Sequence, residues 1–235
     1  MLGTSRVWEI RVLITITKGT HPPPSILHIS SIHPIFQEEW MKSGVSTHLQ
    51  KPRNIQQDPP LTKTYFDPET FLNPIAAQIT SSVLGSKPRL SFISANAALP
   101  SFPPTRQPVH SDADFAHPSS PFALVINIPL ITMTPENGST ELWLGTHSIS
   151  SKDCQEGDHG ERASGRVKAD LLEERREVRA PCQPVVKKGS VVVRDLRLWH
   201  AGMPNLGAEG EVRVMLALIH FAGWYRYVVP SFRLI

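Results

Sequence analysis

Two cysteines, Cys154 and Cys182, are all the chain contains, and no CxxC spacing exists. That is too little for a disulfide framework and the wrong spacing for a zinc or thiol-redox site. They read as unpaired thiols in a reducing compartment, which makes a cytoplasmic protein the expectation. Blocks of one charge are missing too: 24 basic and 21 acidic residues leave a formal net charge of +3, and neither sign gathers into a long run. A polyanion such as nucleic acid is therefore a poor partner. Long apolar runs are absent as well. The N-terminal "VWEIRVLITIT" is broken by Glu9 and Arg11, lacks a small-residue cleavage site and is too short to span a bilayer, so neither export nor membrane insertion is expected. Proline is in excess, at 22 of 235 residues. It opposes a helical bundle and favours strands joined by irregular loops, in a chain long enough to bury one large core.

Residues 1–60 are punctuated by "THPPPSILHISSIHP" and "QKPRNIQQDPP", show neither helical nor alternating periodicity, and read as an irregular arm before a domain over 61–235. In "DPETFLNPIAAQITSSVLG" a helix has two open starts, Asp67 capping Pro68 with Glu69 in the first turn, or Asn73 capping Pro74. Phe71, Ile75, Ile79 and Val83 recur every four residues before Gly85 and predict one apolar stripe by which the helix packs on the rest of the fold. From residue 88 the texture changes to "RLSFISANAAL", "FALVINIPLIT", "STELWLG", "SVVVRDLRLWH" and "EVRVMLALIHFAGWYRYV". Several of these runs are apolar on both faces, as suits interior strands of a sandwich or small barrel. Residues 150–180 are polar and charged, and read as a surface excursion with one short helix; its "EERREVR" is a solvated face.

The stretch "RQPVHSDADFAHP" places His110 and Asp112 two apart. On a strand, residues two apart point to one side, so an imidazole and a carboxylate can meet at one point. A third ligand is available in "GSVVVRDLRLWHAGMPN", where His200 ends a predicted strand. Two histidines and one carboxylate, with other positions open, suit non-haem Fe(II) used for oxygen chemistry. Arg213 follows on the next strand, in "EVRVMLALIHF", and its planar guanidinium can hold the carboxylate of an anionic co-substrate through two parallel hydrogen bonds.

In "QPVHSDADF", "PENGSTELWLGTHS", "KKGSVVVRDLRLWHAGMPN" and "EVRVMLAL" the chain resembles the phytanoyl-CoA dioxygenase family of Fe(II)/2-oxoglutarate-dependent oxygenases, including its fungal secondary-metabolite members, over roughly residues 65–225. The resemblance implies a mainly β protein with flanking α-helices, its core a double-stranded β-helix of the jelly-roll, cupin-like kind. It further implies that His110, Asp112 and His200 hold iron, that Arg213 binds 2-oxoglutarate, and that O2 is the oxidant. Asn127, Thr140 and Gln107 match positions that face the co-substrate in relatives. A small hydrophobic organic substrate follows from the fungal members, and a homodimer is left open. Because Asp112 is present, hydroxylation, desaturation or a related C–H oxidation is expected over halogenation. Residues 1–55 resemble the family poorly, which supports a rival reading, a truncated or non-catalytic jelly-roll that binds a small molecule or partner. A zinc hydrolase on the same ligands would leave Arg213 without a purpose.

Rival residues have simpler explanations. Asp114 shares a strand face with Asp112 but needs a longer reach. His117 precedes Pro118 in a loop, His147 belongs to a Gly-Thr-His turn, and His220 faces a packing surface. Arg194 and Arg197 could compete with Arg213, although salt bridging, for instance to Asp195, is their default. Trp143 and Trp199 belong to the core or pocket wall, and Trp224 and Tyr225 end the last strand.

Overall fold

Both helix starts open in the sequence are used. The computed structural model describes residues 54–57, 68–100, 103–113, 120–157, 165–208 and 211–225. Most of the predicted arm lies outside these ranges, as do Asp67, Asp114 and His117. Within them a single turn, α1 (Pro68–Phe71), is followed by α2 (Pro74–Leu84). Asn73 caps α2, its side chain accepting from the Ile75 and Ala76 amides at 3.1 and 3.2 Å. Such a cap contributes about 1 kcal/mol, and Pro74 stands where a helix has no amide bond to lose. The buried stripe of α2 is Ala76, Thr80 and Leu84, one residue on from the predicted Ile75, Ile79 and Val83, and Ile75 is 37 % exposed. Small side chains at 76 and 80 bring the helix close to the sheet. The Thr80 hydroxyl returns to the Ala76 carbonyl at 2.9 Å, so its burial leaves no polar group unsatisfied.

That sheet is antiparallel and five-stranded. It comprises β1 (Asn54–Gln57), β2 (Arg89–Ala98), β3 (Ala123–Pro129), β7 (Val192–Asp195) and β9 (Arg213–Phe221), in the order β1-β2-β9-β3-β7. Alternation gives it two unlike faces. Val214, Leu216 and Leu218 of β9 join Ile126, Ile128, Ala95, Ala97, Phe71 and Ala76 in the main core beneath the helices. Each fully buried Leu or Ile there stabilises the fold by about 1.5–3 kcal/mol. The other face carries Arg213, Met215, Ala217 and Ile219 of β9. Across the ladder, Ala217 is level with Ser94 and Asn127, and Ile219 is level with Val125, which is itself paired to Arg194.

The second layer is a sheet in fragments. Between β3 and β7 run β4 (Glu141–Leu142), β5 (Gln155–Glu156) and β6 (Arg166–Val167); β8 (His200–Ala201) follows β7. One- and two-residue pairings link them in the order β5, β6, His110, β8, β4, Cys182. The predicted strand over "SVVVRDLRLWH" is therefore two strands, broken by a turn at 196–199. Residues 150–180 also differ from a pure surface excursion. Their helix α3 (Ala169–Val178) has no buried residue, but β6 lies beside His110, and Val167 packs with Val109, Trp143, Trp199 and Ala201. Among the described residues no helix is long and apolar enough to cross a membrane.

His220 lies on the helix-side face, level with Leu124, and is 8 % exposed. Burial pushes its imidazole below the ordinary 6.5. Below that pH an unfolded chain takes up a proton that the native chain refuses, so stability is present above 6.5 and is lost as pH falls. Urea unfolding at pH 7.5 and 5.5 is expected to show a lower midpoint at the acid value, with a smaller difference in His220→Gln.

Candidate metal centre

His110 and His200 are neighbours because their backbones pair. The His110 amide donates to the His200 carbonyl at 2.9 Å and the His200 amide to the His110 carbonyl at 2.8 Å. Their rings lie 4.4 Å apart, centroid to centroid. Each Nδ1 faces the carbonyl two residues earlier, Pro108 for His110 and Leu198 for His200, both at 2.9 Å. A carbonyl can only accept, so each Nδ1 carries the proton and each Nε2 keeps a lone pair for a metal.

Asp112 follows, its amide donating to the Leu196 carbonyl at 3.2 Å. Its Oδ1 lies 3.8 Å from His110 Nε2 and 3.6 Å from His200 Nε2. Among the described residues these three offer ligand atoms that all lie within 4.8 Å of one another. Burial pushes the His200 imidazole down to about 3, with the Arg194 cation adding to the shift against the opposing pull of Asp112. His200 is thus neutral at neutral pH, the state a metal needs. Burial works to raise the Asp112 carboxyl, but Arg194, then His200 and His110, hold it well below the usual carboxylate range. Two imidazoles whose Nδ1 sides are engaged by carbonyls, together with one anion, fit a divalent transition metal with open positions.

A small apolar core lies beside the three side chains. Trp143 and Trp199 are each 1 % exposed. The Trp199 amide donates to Thr146 Oγ1 at 2.9 Å and its indole to Ser150 Oγ at 3.1 Å, which ties the turn before His200 to the 143–150 segment. His147 sits half-buried on the one-turn helix Thr146–Ser148.

Arg213 begins β9 on the face toward the triad and is 2 % exposed. One of its η-nitrogens donates to the Asn96 carbonyl at 3.3 Å. Burial pushes its guanidinium down to about 10, still cationic at neutral pH. The other predicted contacts are less uniform. Asn127 shares this face, but its Oδ1 accepts from Arg194 Nε at 3.2 Å. Thr140 is half-buried just before β4. Gln107 clasps the turn after His200, its main-chain amide donating to the Gly202 carbonyl and its side-chain Oε1 accepting from the Gly202 amide, both at 2.9 Å. Arg197 forks onto Asp195, Nε to Oδ1 at 2.9 Å and Nη2 to Oδ2 at 2.8 Å. Arg194 does not join that default pairing: its Nη2 meets Asp112 Oδ2 at 2.5 Å. This contact was out of reach of the sequence, because it joins residues 82 positions apart.

Comparison with known structures gives the same architecture. SnoK, described as a non-heme alpha ketoglutarate dependent carbocyclase from nogalamycin biosynthesis, superposes with a TM-score of 0.61 at 17% identity, over 83% of this chain and 75% of its own. EctD from S. alaskensis, solved with 2-oxoglutarate and 5-hydroxyectoine, gives 0.57 at 17% identity over 88% of this chain and 71% of its own. EvdMO1 gives 0.59 at 20% identity; 86% of this chain matches it, spanning only 45% of EvdMO1. At such identities the likeness is one of fold, the double-stranded β-helix. The sequence model described as phytanoyl-CoA dioxygenase (PhyH) matches residues 30–213, from inside the predicted arm to Arg213 itself. A match over that much of the sequence, on a double-stranded β-helix whose facing layers gather two imidazoles and a carboxylate, places the chain in the phytanoyl-CoA dioxygenase family.

Proposed function

We propose that the protein is an Fe(II)- and 2-oxoglutarate-dependent oxygenase, with His110, Asp112 and His200 as iron ligands and Arg213 as the anchor for the distal carboxylate of 2-oxoglutarate. The observation that carries this reading is the convergence of three ligand atoms, from segments ninety residues apart, within 4.8 Å of one another. Bound iron would supply the chemistry: O2 oxidatively decarboxylates 2-oxoglutarate to succinate and CO2 while a C–H bond of a second substrate is oxidised.

The chain's own contribution is placement. The reciprocal peptide bonds hold the imidazoles side by side, and the Pro108 and Leu198 carbonyls keep each Nδ1 proton away from the metal side. Arg213, buried and charged, offers a carboxylate a fixed cation with little water to compete. Thr140 and the Asn127 amide nitrogen are the further polar groups we assign to the co-substrate, whereas Gln107 acts on the Gly202 turn. For the second substrate we propose a small hydrophobic organic molecule of secondary metabolism, undergoing hydroxylation, desaturation or a related C–H oxidation. Support comes from the sequence resemblance and from neighbours of nogalamycin biosynthesis.

The test is succinate formation from 2-oxoglutarate after anaerobic Fe(II) loading and exposure to O2. Turnover is expected from the native chain and none from His110→Ala. Tight iron binding without any succinate would favour the non-catalytic jelly-roll instead, and turnover unaffected by His110→Ala would remove the iron assignment.

A further inference from the structure

The guanidinium of Arg194 holds the one Asp112 oxygen that faces away from the imidazoles. Nη2 takes Oδ2 at 2.5 Å while Oδ1 stays 3.6 and 3.8 Å from the two Nε2 atoms. Arg194 is itself braced, since Nε donates to Asn127 Oδ1 at 3.2 Å, and its side chain is only 8 % exposed. Asn127 is fixed in turn by strand register, level with Val192 on one side and Ala217 on the other. A chain of contacts thus runs from the five-stranded sheet to the far oxygen of the carboxylate.

We propose, resting on the iron and 2-oxoglutarate reading above, that Arg194 is a positioning residue that makes Asp112 a one-oxygen ligand. A carboxylate left to itself can turn both oxygens to a cation. Doing so here would occupy a coordination position that a chelating 2-oxo acid needs. With Oδ2 engaged by a charge-assisted hydrogen bond, Oδ1 alone is presented, and the remaining positions stay open.

Electrostatics separates this role from a structural one. Arg194 is a cation next to a cation site, so removing it strengthens the pull of Asp112 on a metal. Loss of metal is therefore not the expected result; a change in how the carboxylate binds is. The test uses the full chain loaded with Co(II), whose visible ligand-field bands report coordination, followed by titration with 2-oxoglutarate. Arg194→Met is expected to bind Co(II) at least as tightly as the native chain, to show altered bands before any 2-oxoglutarate is added, and to bind 2-oxoglutarate about tenfold or more weakly. Arg194→Lys, which can still reach Oδ2 with one N–H, is expected to recover most of that loss.

Unchanged bands and unchanged 2-oxoglutarate affinity in Arg194→Met would overturn the proposal. So would weaker Co(II) binding together with a lower melting temperature, which marks a purely structural residue. Should Arg194→Met fail to fold, Asn127→Leu, which removes the brace on Nε and is read from the Co(II) bands before any 2-oxoglutarate is added, decides: altered bands support the role and native bands refute it. Failure of the underlying reading looks different, with Co(II) binding that is absent in the native chain or indifferent to His110→Ala.

Discussion

His200→Ala is expected to abolish succinate formation, lowering it by more than the roughly hundredfold that loss of an outer partner costs a metal site. The imidazole is one of three groups converging on the site. Asp112 cannot substitute for it, having one oxygen turned to the imidazoles and the other engaged by Arg194. The fold should survive, because the bonds joining residues 110 and 200 run between main-chain atoms and alanine keeps both. Far-UV circular dichroism close to native, with Fe(II) affinity and succinate yield both lost, is the result that supports the assignment. Succinate formed at a native rate would sink it.

Arg213→Met is expected to act on the co-substrate rather than the metal. Truncating one side of a buried, hydrogen-bonded charge pair costs about 2–5 kcal/mol, or some thirtyfold to several thousandfold in binding. The expected signature is a rise of that order in the 2-oxoglutarate concentration needed for half-maximal succinate formation, with Fe(II) affinity unchanged. Stability is not expected to fall, since methionine fills similar volume and removes the cost of burying a cation, a cost already visible in the downward push on this guanidinium. Arg213→Lys retains the charge without the fork and should fall between the two. An unaltered 2-oxoglutarate requirement in Arg213→Met would move the carboxylate anchor elsewhere.

The convergence of His110, Asp112 and His200 was legible because the spacing rules behind it are local: His110 and Asp112 are two apart, and His200 closes a short run after a Gly-Ser turn. Strands β3 and β9 were legible because both faces are buried, which leaves long, largely apolar runs, and β2 because apolar residues recur between the polar ones of its more exposed first half. The second layer was not, since its strands touch at only one or two residues and offer no alternation to read. Hydrophobic periodicity places the stripe of α2 one residue early because the buried Ala76 and Thr80 carry little hydrophobic weight. Sequence proximity pairs Arg194 with its neighbour Asp195. Its partner instead lies across the sandwich, a distance that no periodicity encodes.

Peptide geometry sets the gap between the two imidazoles, since residues 110 and 200 form a reciprocal main-chain pair on a tryptophan-backed floor. A gap fixed by main-chain bonds is poorly suited to selecting an occupant by closing to one radius. Cobalt, nickel and zinc rank above ferrous iron in intrinsic preference for such donors. On the iron reading proposed above, correct metallation would fall to cellular supply, and protein purified from a foreign host is expected to carry whichever such ion that host left most abundant.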